Sequence, residues 1–275
     1  MTNAKRSRSA RIISWVLLAG FFALAGDAQT SSPQSNPSIQ VSGAQLADML
    51  SQRNTERATA LKSYQGRRVY NFDYLGFFGH HHAEMVVDVN YNAPDRKQFS
   101  VTSQNGSTWV ITHIFNRLLS AEQEALQKEN QQRSALNSQN YDFTVLKFEH
   151  SSECDCYVVD VEPKVMSKFL YRGRIWVDAV DFAVRRIEAE PAKNPSFWIK
   201  STAIRHNYEK VGDFWLPSQD HTVSTIRMGG RALLTIQYQN YKILAASPLP
   251  PHREAAQASP DSDAIPIPTP GSSRR

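Results

Sequence analysis

Hydrophobic and polar positions alternate with a period of two along most of the chain. In the first two such runs, large apolar side chains occupy every second position, at Tyr70, Phe72 and Tyr74 and then at Met85, Val87 and Val89. This alternation predicts β-strands with one buried face. Turn-forming residues divide the pattern into eleven predicted strands: 66–75, 83–91, 97–103, 107–115, 142–149, 154–161, 171–178, 182–190, 196–210, 214–227 and 231–243.

The links between these strands are short, which predicts antiparallel pairing of sequential strands. Asn105-Gly106 and Gly229-Gly230 each separate two runs, as hairpin turns do. A sheet of eleven strands twists and coils toward a barrel. We therefore expect a mainly β (α+β) fold, an incomplete antiparallel β-barrel of about eleven strands with two helices covering the concave face.

Two segments break the alternation and predict helices. Ser42 and Gln45 have the spacing of a capping box, and the apolar residues that follow recur at helical intervals, so we expect a helix over 43–62. A second helix is expected over about 121–137, with Ser120 as its cap. Its apolar content is low, which suggests a position over the surface or over an opening of the barrel.

The ends of the chain differ in composition from its middle. Residues 1–28 have a basic start, an apolar run and small residues before Gln29, a pattern typical of a Sec-type signal peptide, with a retained anchor as the alternative. We expect a polar leader over 29–39, the packed domain over 40–244 and a disordered Pro-rich tail over 245–275. The expected location is the periplasm.

Charge and motifs exclude several classes of function. The chain carries 31 Lys and Arg against 26 Asp and Glu, a net charge of +5, and part of that excess lies in the signal segment, so no nucleic-acid partner is expected. Strand faces bearing Arg172, Arg174 and Glu188 disfavour a transmembrane barrel. No nucleophile elbow, Walker loop or Rossmann fingerprint is present, so we expect neither an enzyme nor a cofactor.

So wide a sheet encloses more space than its own side chains easily fill, which predicts an apolar binding cavity. The candidate lining residues are the apolar faces of the first strands: Tyr70, Phe72, Tyr74, Met85, Val87, Val89, Phe99, Trp109 and Ile111. Long alkyl chains need such contiguous apolar surface. The alternative is that the same side chains pack against helix 43–62 as ordinary core.

Two other groups of residues invite a chemical interpretation. His80-His81-His82 lies near a turn, and consecutive strand residues point to opposite faces, so a solvated hairpin tip is favoured over a metal site. Cys154 and Cys156 share one face of a strand and could form a local disulfide or pack as two thiols. We assign neither group a function.

Several segments resemble the outer-membrane lipoprotein-sorting (LolA/LolB-like) family. They are Met85 to Phe99, Asn105-Gly106 with Trp109, Gly173 to Asp178, Arg185 to Glu188 and Phe214 to Pro217. The resemblance covers roughly 43–243. It implies a monomeric periplasmic carrier that shields the acyl chains of a lipoprotein or lipid in a hydrophobic cavity, with inner- and outer-membrane proteins as possible partners.

The chain departs from the family pattern at one position. Well-studied carriers have an arginine before the strand-ending proline, where it is tied to lid closure, and here Ala93 precedes Pro94. Arg96 is the candidate for a substitute polar contact with the lid or turn. Related folds also act as envelope-stress sensors, so a regulatory interaction module that uses the same cavity is the alternative function.

Overall fold

The computed structural model describes residues 41–152, 154–167, 169–194 and 196–250. The described residues form one unit. The predicted signal peptide and leader, and most of the predicted tail, lie outside them, so those boundaries stay predictions. Within the described residues, no helix is long and apolar enough to cross a membrane.

The chain begins with a helix and continues mainly as strands. Helix α1 spans Gly43–Ala60, and the capping box at Ser42 and Gln45 is present. The ten strands are β1 Leu61–Gly76, β2 Gly79–Asn92, β3 Arg96–Gly106, β4 Tyr141–His150, β5 Asp155–Pro163, β6 Tyr171–Asp178, β7 Val184–Pro191, β8 Ile199–Val211, β9 Phe214–Ile226 and β10 Gly230–Ala246.

All ten strands form one open antiparallel sheet, in the order β3-β2-β1-β10-β9-β8-β7-β6-β5-β4. Strands β1 and β10 are far apart in sequence, and their pairing from Tyr64 to Gly76 joins the two halves of the sheet. The predicted fold class is therefore confirmed as mainly β with an open sheet. Among the described residues there are ten strands, one fewer than predicted.

The missing strand is the one predicted over 107–115. Its residues form helical structure instead: α2 at Thr108–Val110, a π-helical turn at Ile111–Phe115 and α3 at Asn116–Ala125. We call residues 108–125 the covering helix. Gly106 ends β3 with a φ of 97°, and a side chain there would meet the carbonyl of His82, so the chain turns away at this point. Ser107 then caps the helix through the N–H of Val110.

The second predicted helix also has different bounds. Ser120 is not its cap but lies inside α3, where its hydroxyl donates a hydrogen bond to the carbonyl of Asn116. After α3, a short helix α4 runs over Lys128–Ser134. The covering helix therefore begins about thirteen residues before the predicted start at residue 121, because the apolar positions that anchor it belong to the segment predicted as a strand.

Two core clusters fill separate parts of the concave face. Helix α1 inserts Leu46 and Leu50 among the buried residues of β4–β7. The covering helix inserts Val110 and Phe115 among those of β1, β2 and β10. All four side chains are completely buried. The two helices thus cover different parts of the sheet and leave open space against parts of β8, β9 and β10.

Candidate functional site

A cavity of about 790 Å³ lies on this uncovered part of the concave face. Its volume falls within the range of ligand-binding pockets. Twelve described residues line it: Phe72, Tyr74, Phe78, His81, Trp109, Ile114, Ile199, Thr222, Ser224, Ile226, Ala232 and Leu234. None of them is an Asp, Glu, Lys or Arg, so a ligand inside meets mainly carbon.

Short side chains on β9 and β10 keep this space open. The pairing of Ser224 with Ala232 and of Thr222 with Leu234 places these four residues on one face, because side chains alternate along a strand. Three of the four are small, and they border the same cavity as Trp109 and Ile114 of the covering helix. The Ser224 hydroxyl lies 3.0 Å from the hydroxyl of Thr202, which satisfies it within the wall. The wall therefore offers little polar competition to an apolar ligand.

Aromatic rings mark the mouth of the cavity. Trp109 is 55% exposed although it lines the cavity, and Phe78 is 57% exposed. The His81 ring lies between Tyr74 and Trp109, with centroid distances of 6.1 and 6.4 Å. Side chains that line a cavity and also face solvent stand at its opening. A ligand would therefore enter past Phe78, His81 and Trp109.

The structure divides the predicted cavity residues into two groups. Phe72, Tyr74 and Trp109 line the cavity. The other six lie in or against the core cluster beneath the covering helix: Tyr70, Met85, Val87, Val89, Phe99 and Ile111. For these six, the structure shows the ordinary core packing that the alternative described, although the helix involved is the covering helix, to which Ile111 itself belongs, and not α1. A binding role for any of the nine stays a prediction.

Sequence reasoning missed the wall of the cavity. Thr222, Ser224 and Ala232 are small or polar, so they do not stand out as a hydrophobic face. The usable signal on β9 was the alternation of Thr222, Ser224 and Ile226 with Val223 and Thr225, which places the lining positions of that strand on one side. The sequence alone does not show that these small residues line a cavity instead of packing against a helix.

A buried ion pair attaches the covering helix to the sheet. Arg68 on β1 is 5% exposed and forms a bidentate ion pair with Glu122. Its Nη2 donates to Oε1 of Glu122 at 2.9 Å, and its Nη1 donates to Oε2. Lys97 on β3 reaches the same carboxylate at 2.6 Å. Burial raises the pKa of Glu122, but hydrogen bonds and positive charge from Arg68 and Lys97 outweigh it and hold the pKa at about 2. The carboxylate therefore stays ionised.

The pair continues into the interior as a polar network. The guanidinium of Arg68 lies 4.9 Å from the ring centroid of Tyr238, and the Tyr238 hydroxyl donates to Asp220. Asp220 also pairs with His206. Burial and the nearby Asp220 charge raise the pKa of Tyr238, so its proton stays in place. Connected partners of this kind fix the position of the Arg68 head group under the helix.

The predicted lid contact at Arg96 can be compared with this pair. Arg96 is exposed at the first position of β3, whereas its neighbour Lys97 turns inward to Glu122. The contacts that hold the covering helix thus come from Lys97 and from Arg68, which the sequence did not single out. A binding role for Arg96 stays a prediction.

The histidine triplet and the cysteines have simple structural roles. His80 and His82 both approach Asp73, at 3.7 and 2.8 Å, on the face away from His81. The described residues contain no group of three or more His, Cys, Asp or Glu side chains placed to hold a metal ion. Cys154 and Cys156 form a disulfide, the first of the two states that the sequence left open.

Comparisons with known proteins find likeness of fold only. No family model and no curated protein matches the chain. A DUF1329 family protein from Desulfovibrio piger has a TM-score of 0.37 at 14% identity, covering 74% of this chain and 94% of its own. A LolA superfamily protein from Nitrosomonas europaea has a TM-score of 0.33 at 13% identity, and the match covers 76% of this chain and 96% of that protein. A chain of the MucA/MucB complex of Pseudomonas aeruginosa has a TM-score of 0.25 at 10% identity, and the match covers 72% of this chain and 99% of that one.

A LolA superfamily protein is among these structural neighbours, and the sequence was predicted to resemble the same family. The overlaps are partial and the identities low, so they concern the fold alone. What this chain binds has to be argued from its own cavity.

Proposed function

We propose that this chain binds the acyl chain of a lipid or lipoprotein in the cavity and shields it from water. The observation that carries the proposal is an open cavity of about 790 Å³ whose described lining includes no Asp, Glu, Lys or Arg. Burial of each CH₂ group contributes roughly 0.8 kcal/mol, so a chain of about twelve carbons gains roughly 10 kcal/mol before ordering costs. An aqueous ligand with fixed polar groups would find few partners here.

The proposed activity is binding without covalent chemistry. Acid–base or nucleophilic catalysis needs a positioned group together with a second group that activates or orients it. Among the described lining residues, the two ionisable rings are Tyr74 and His81, and the His81 ring packs against Tyr74 and Trp109. Release of the ligand intact to an acceptor makes the protein a carrier, and retention of the ligand to alter a protein contact makes it a sensor.

We propose the periplasm as the site of action. The signal-like pattern of residues 1–28 supports export. The Cys154–Cys156 disulfide supports it independently, because disulfides persist in oxidising compartments and are rare in the cytosol. Cell fractionation that recovers the chain with cytoplasmic markers would contradict this assignment.

Cavity filling tests the proposal directly. Ala232→Phe places a ring in the cavity, whereas Leu233→Phe changes the next residue, whose side chain points to the opposite face of β10. Titration with a fluorescent long-chain fatty acid should show saturable binding to the wild type and to Leu233→Phe, and at least tenfold weaker binding to Ala232→Phe. Equal binding by all three proteins would place the ligand elsewhere.

Native mass spectrometry of protein purified from the cell envelope identifies the natural ligand. A co-purifying lipid or acylated protein would support the proposal and name the cargo. Protein that carries no lipid and also ignores the fatty acid would overturn it.

A further inference from the structure

The two ends of the sheet differ in exposed apolar surface. At the end where the cavity opens, six side chains are about half to three-quarters exposed, and we call them the aromatic rim: Phe77, Phe78, Trp109, Phe197, Trp198 and Met228. Val165 and Met166, in the loop between β5 and β6, lie at the same end and are also exposed. At the opposite end, the exposed large apolar residues of the described chain are Phe148, Val180 and Leu244.

Backbone pairing holds the rim loops side by side. Gly76 pairs with both Gly79 and Gly230, so the β1–β2 turn lies next to the β9–β10 turn. The hydroxyl of Tyr74 bridges them by donating to the carbonyl of Gly229 at 3.1 Å. The rim is therefore one surface and not a set of scattered side chains.

Arg227 attaches the third loop to this surface. Its backbone N–H donates to the carbonyl of Trp198 at 2.9 Å, and its Nε donates to the carbonyl of Phe197 at 2.6 Å. The guanidinium lies 5.2 Å from the ring centroid of Phe197. A cation thus lies beside the most exposed aromatic ring of the rim, in the pattern of side chains that favour a lipid–water interface.

The connections at the two ends of the sheet also differ in their charged residues. The connection 107–140 at the cavity end contains the helices between β3 and β4 and carries three Glu and three Lys or Arg. The other connections at that end are residues 77–78, 164–170, 192–198 and 227–229, and their sequences contain no Asp or Glu while three of them contain Lys or Arg. The loops at the opposite end are residues 93–95, 151–154, 179–183 and 212–213. Each of these contains one Asp or Glu and no Lys or Arg.

From this asymmetry we infer that the aromatic rim docks on the surface of an anionic phospholipid membrane, with the cavity mouth facing the bilayer. Tryptophan and phenylalanine side chains partition into the interfacial region, and basic side chains beside them are attracted to anionic head groups. The exposed Asp95 and Asp213 in the loops at the far end are repelled by anionic head groups, which disfavours the reverse orientation. Docking needs no ligand in the cavity and therefore stands or falls independently of the proposed function.

Vesicle flotation tests the inference. The full chain should float with vesicles of phosphatidylglycerol and phosphatidylcholine in equal parts and stay behind with pure phosphatidylcholine. The double variant Phe197→Ser, Trp198→Ser should bind at least tenfold more weakly. The matched control Val180→Ser, Leu244→Ser removes exposed apolar side chains at the opposite end and should bind as the wild type does.

A second pair of variants tests the charge. Lys193→Glu with Lys200→Glu changes exposed lysines at the cavity end, and Lys62→Glu with Lys242→Glu makes the same change of net charge away from it. The first pair should weaken binding to the anionic vesicles at least tenfold, and the second should have much less effect. All variants carry the same residues 1–40, so any membrane affinity of that segment is shared by them.

Three results would overturn the inference. These are no flotation of the wild type with anionic vesicles, equal binding by rim and control variants, and binding only to membranes that contain protein, which would make the rim a protein interface. Ala232→Phe separates the two proposals, since it should lose the fatty acid and still float with vesicles. Flotation lost together with fatty-acid binding in that variant would also count against independent docking.

Discussion

The two parts of the concave face are covered by helices of different character. Helix α1 packs Leu46 and Leu50 into the sheet, and it covers a continuous core. The covering helix buries Val110 and Phe115 near its start, whereas its last ten residues, in α3, include no buried residue and are attached through Glu122. Helix α1 is held by interdigitated apolar side chains, whereas the covering helix is held by two completely buried residues, by partly buried ones such as Ile114 and Leu118, and by an ion pair.

This difference shows how a sheet can be both stable and partly empty. The half under α1 supplies the packed interior that stabilises the fold. The other half leaves a cavity whose wall includes the short side chains of Ser224 and Ala232. An ion pair specifies where a helix sits without filling the space beneath it, so the covering helix can lie beside the cavity.

The largest contrast is expected between equivalent truncations in the two halves. Leu50→Ala leaves a void in a completely buried site and should lower the free energy of unfolding by about 3 kcal/mol. Leu234→Ala removes a half-buried side chain that already borders a cavity and should lower it by less than about 1 kcal/mol. Urea unfolding of both variants measures this. Equal losses would mean that the two halves are packed alike.

Much of this architecture could be predicted from local sequence. The capping box at Ser42 and the alternation at Tyr70 depend on neighbours a few residues away, and both predicted the correct element. The prediction of a strand over 107–115 is wrong. The β-branched residues of this segment favour strands, but Val110, Ile114 and Leu118 also recur at helical spacing. The packing of that stripe on the sheet decides the outcome, and packing is not local.

The candidate site was predictable only in part for the same reason. Phe72 and Tyr74 follow from the face of β1, but the opposite wall depends on the pairing of β1 with β10, more than 150 residues away in sequence. The partnership of Arg68 with Glu122 likewise joins two distant segments. Neither residue has a distinctive sequence context, so no local pattern indicates that they meet.

A smaller effect is expected from the ion pair that attaches the covering helix. Glu122→Gln leaves the buried guanidinium of Arg68 without its carboxylate and should lower the free energy of unfolding by about 2 kcal/mol. The control is Asp88→Asn, which breaks the exposed pair with Arg67 and should have little effect. Urea unfolding gives both values. If the two substitutions have equal effects, the covering helix is held by its apolar anchors and not by the ion pair.

The same pair should make stability depend on pH, with the smallest effect of the three. The pKa of Glu122 is about 2 in the folded chain, below the ordinary value of 4.5, so the unfolded chain takes up the proton first as pH falls. The stabilisation is therefore complete above about pH 5 and is lost progressively as the pH falls from 4.5 toward 2. Between neutral pH and about pH 4, the loss should be about 1 kcal/mol.

Other carboxylates with lowered pKa values, such as Glu56 and Asp88, also contribute to acid sensitivity in the wild type. Subtracting the unfolding free energy of Glu122→Gln at each pH removes their contribution, because both proteins contain them. The difference between wild type and variant should shrink by about 1 kcal/mol as the pH is lowered from neutral to about 4. A difference that stays constant over that range would show that Glu122 is not held ionised by Arg68 and Lys97, and the contrast between the two helices would then rest on packing alone.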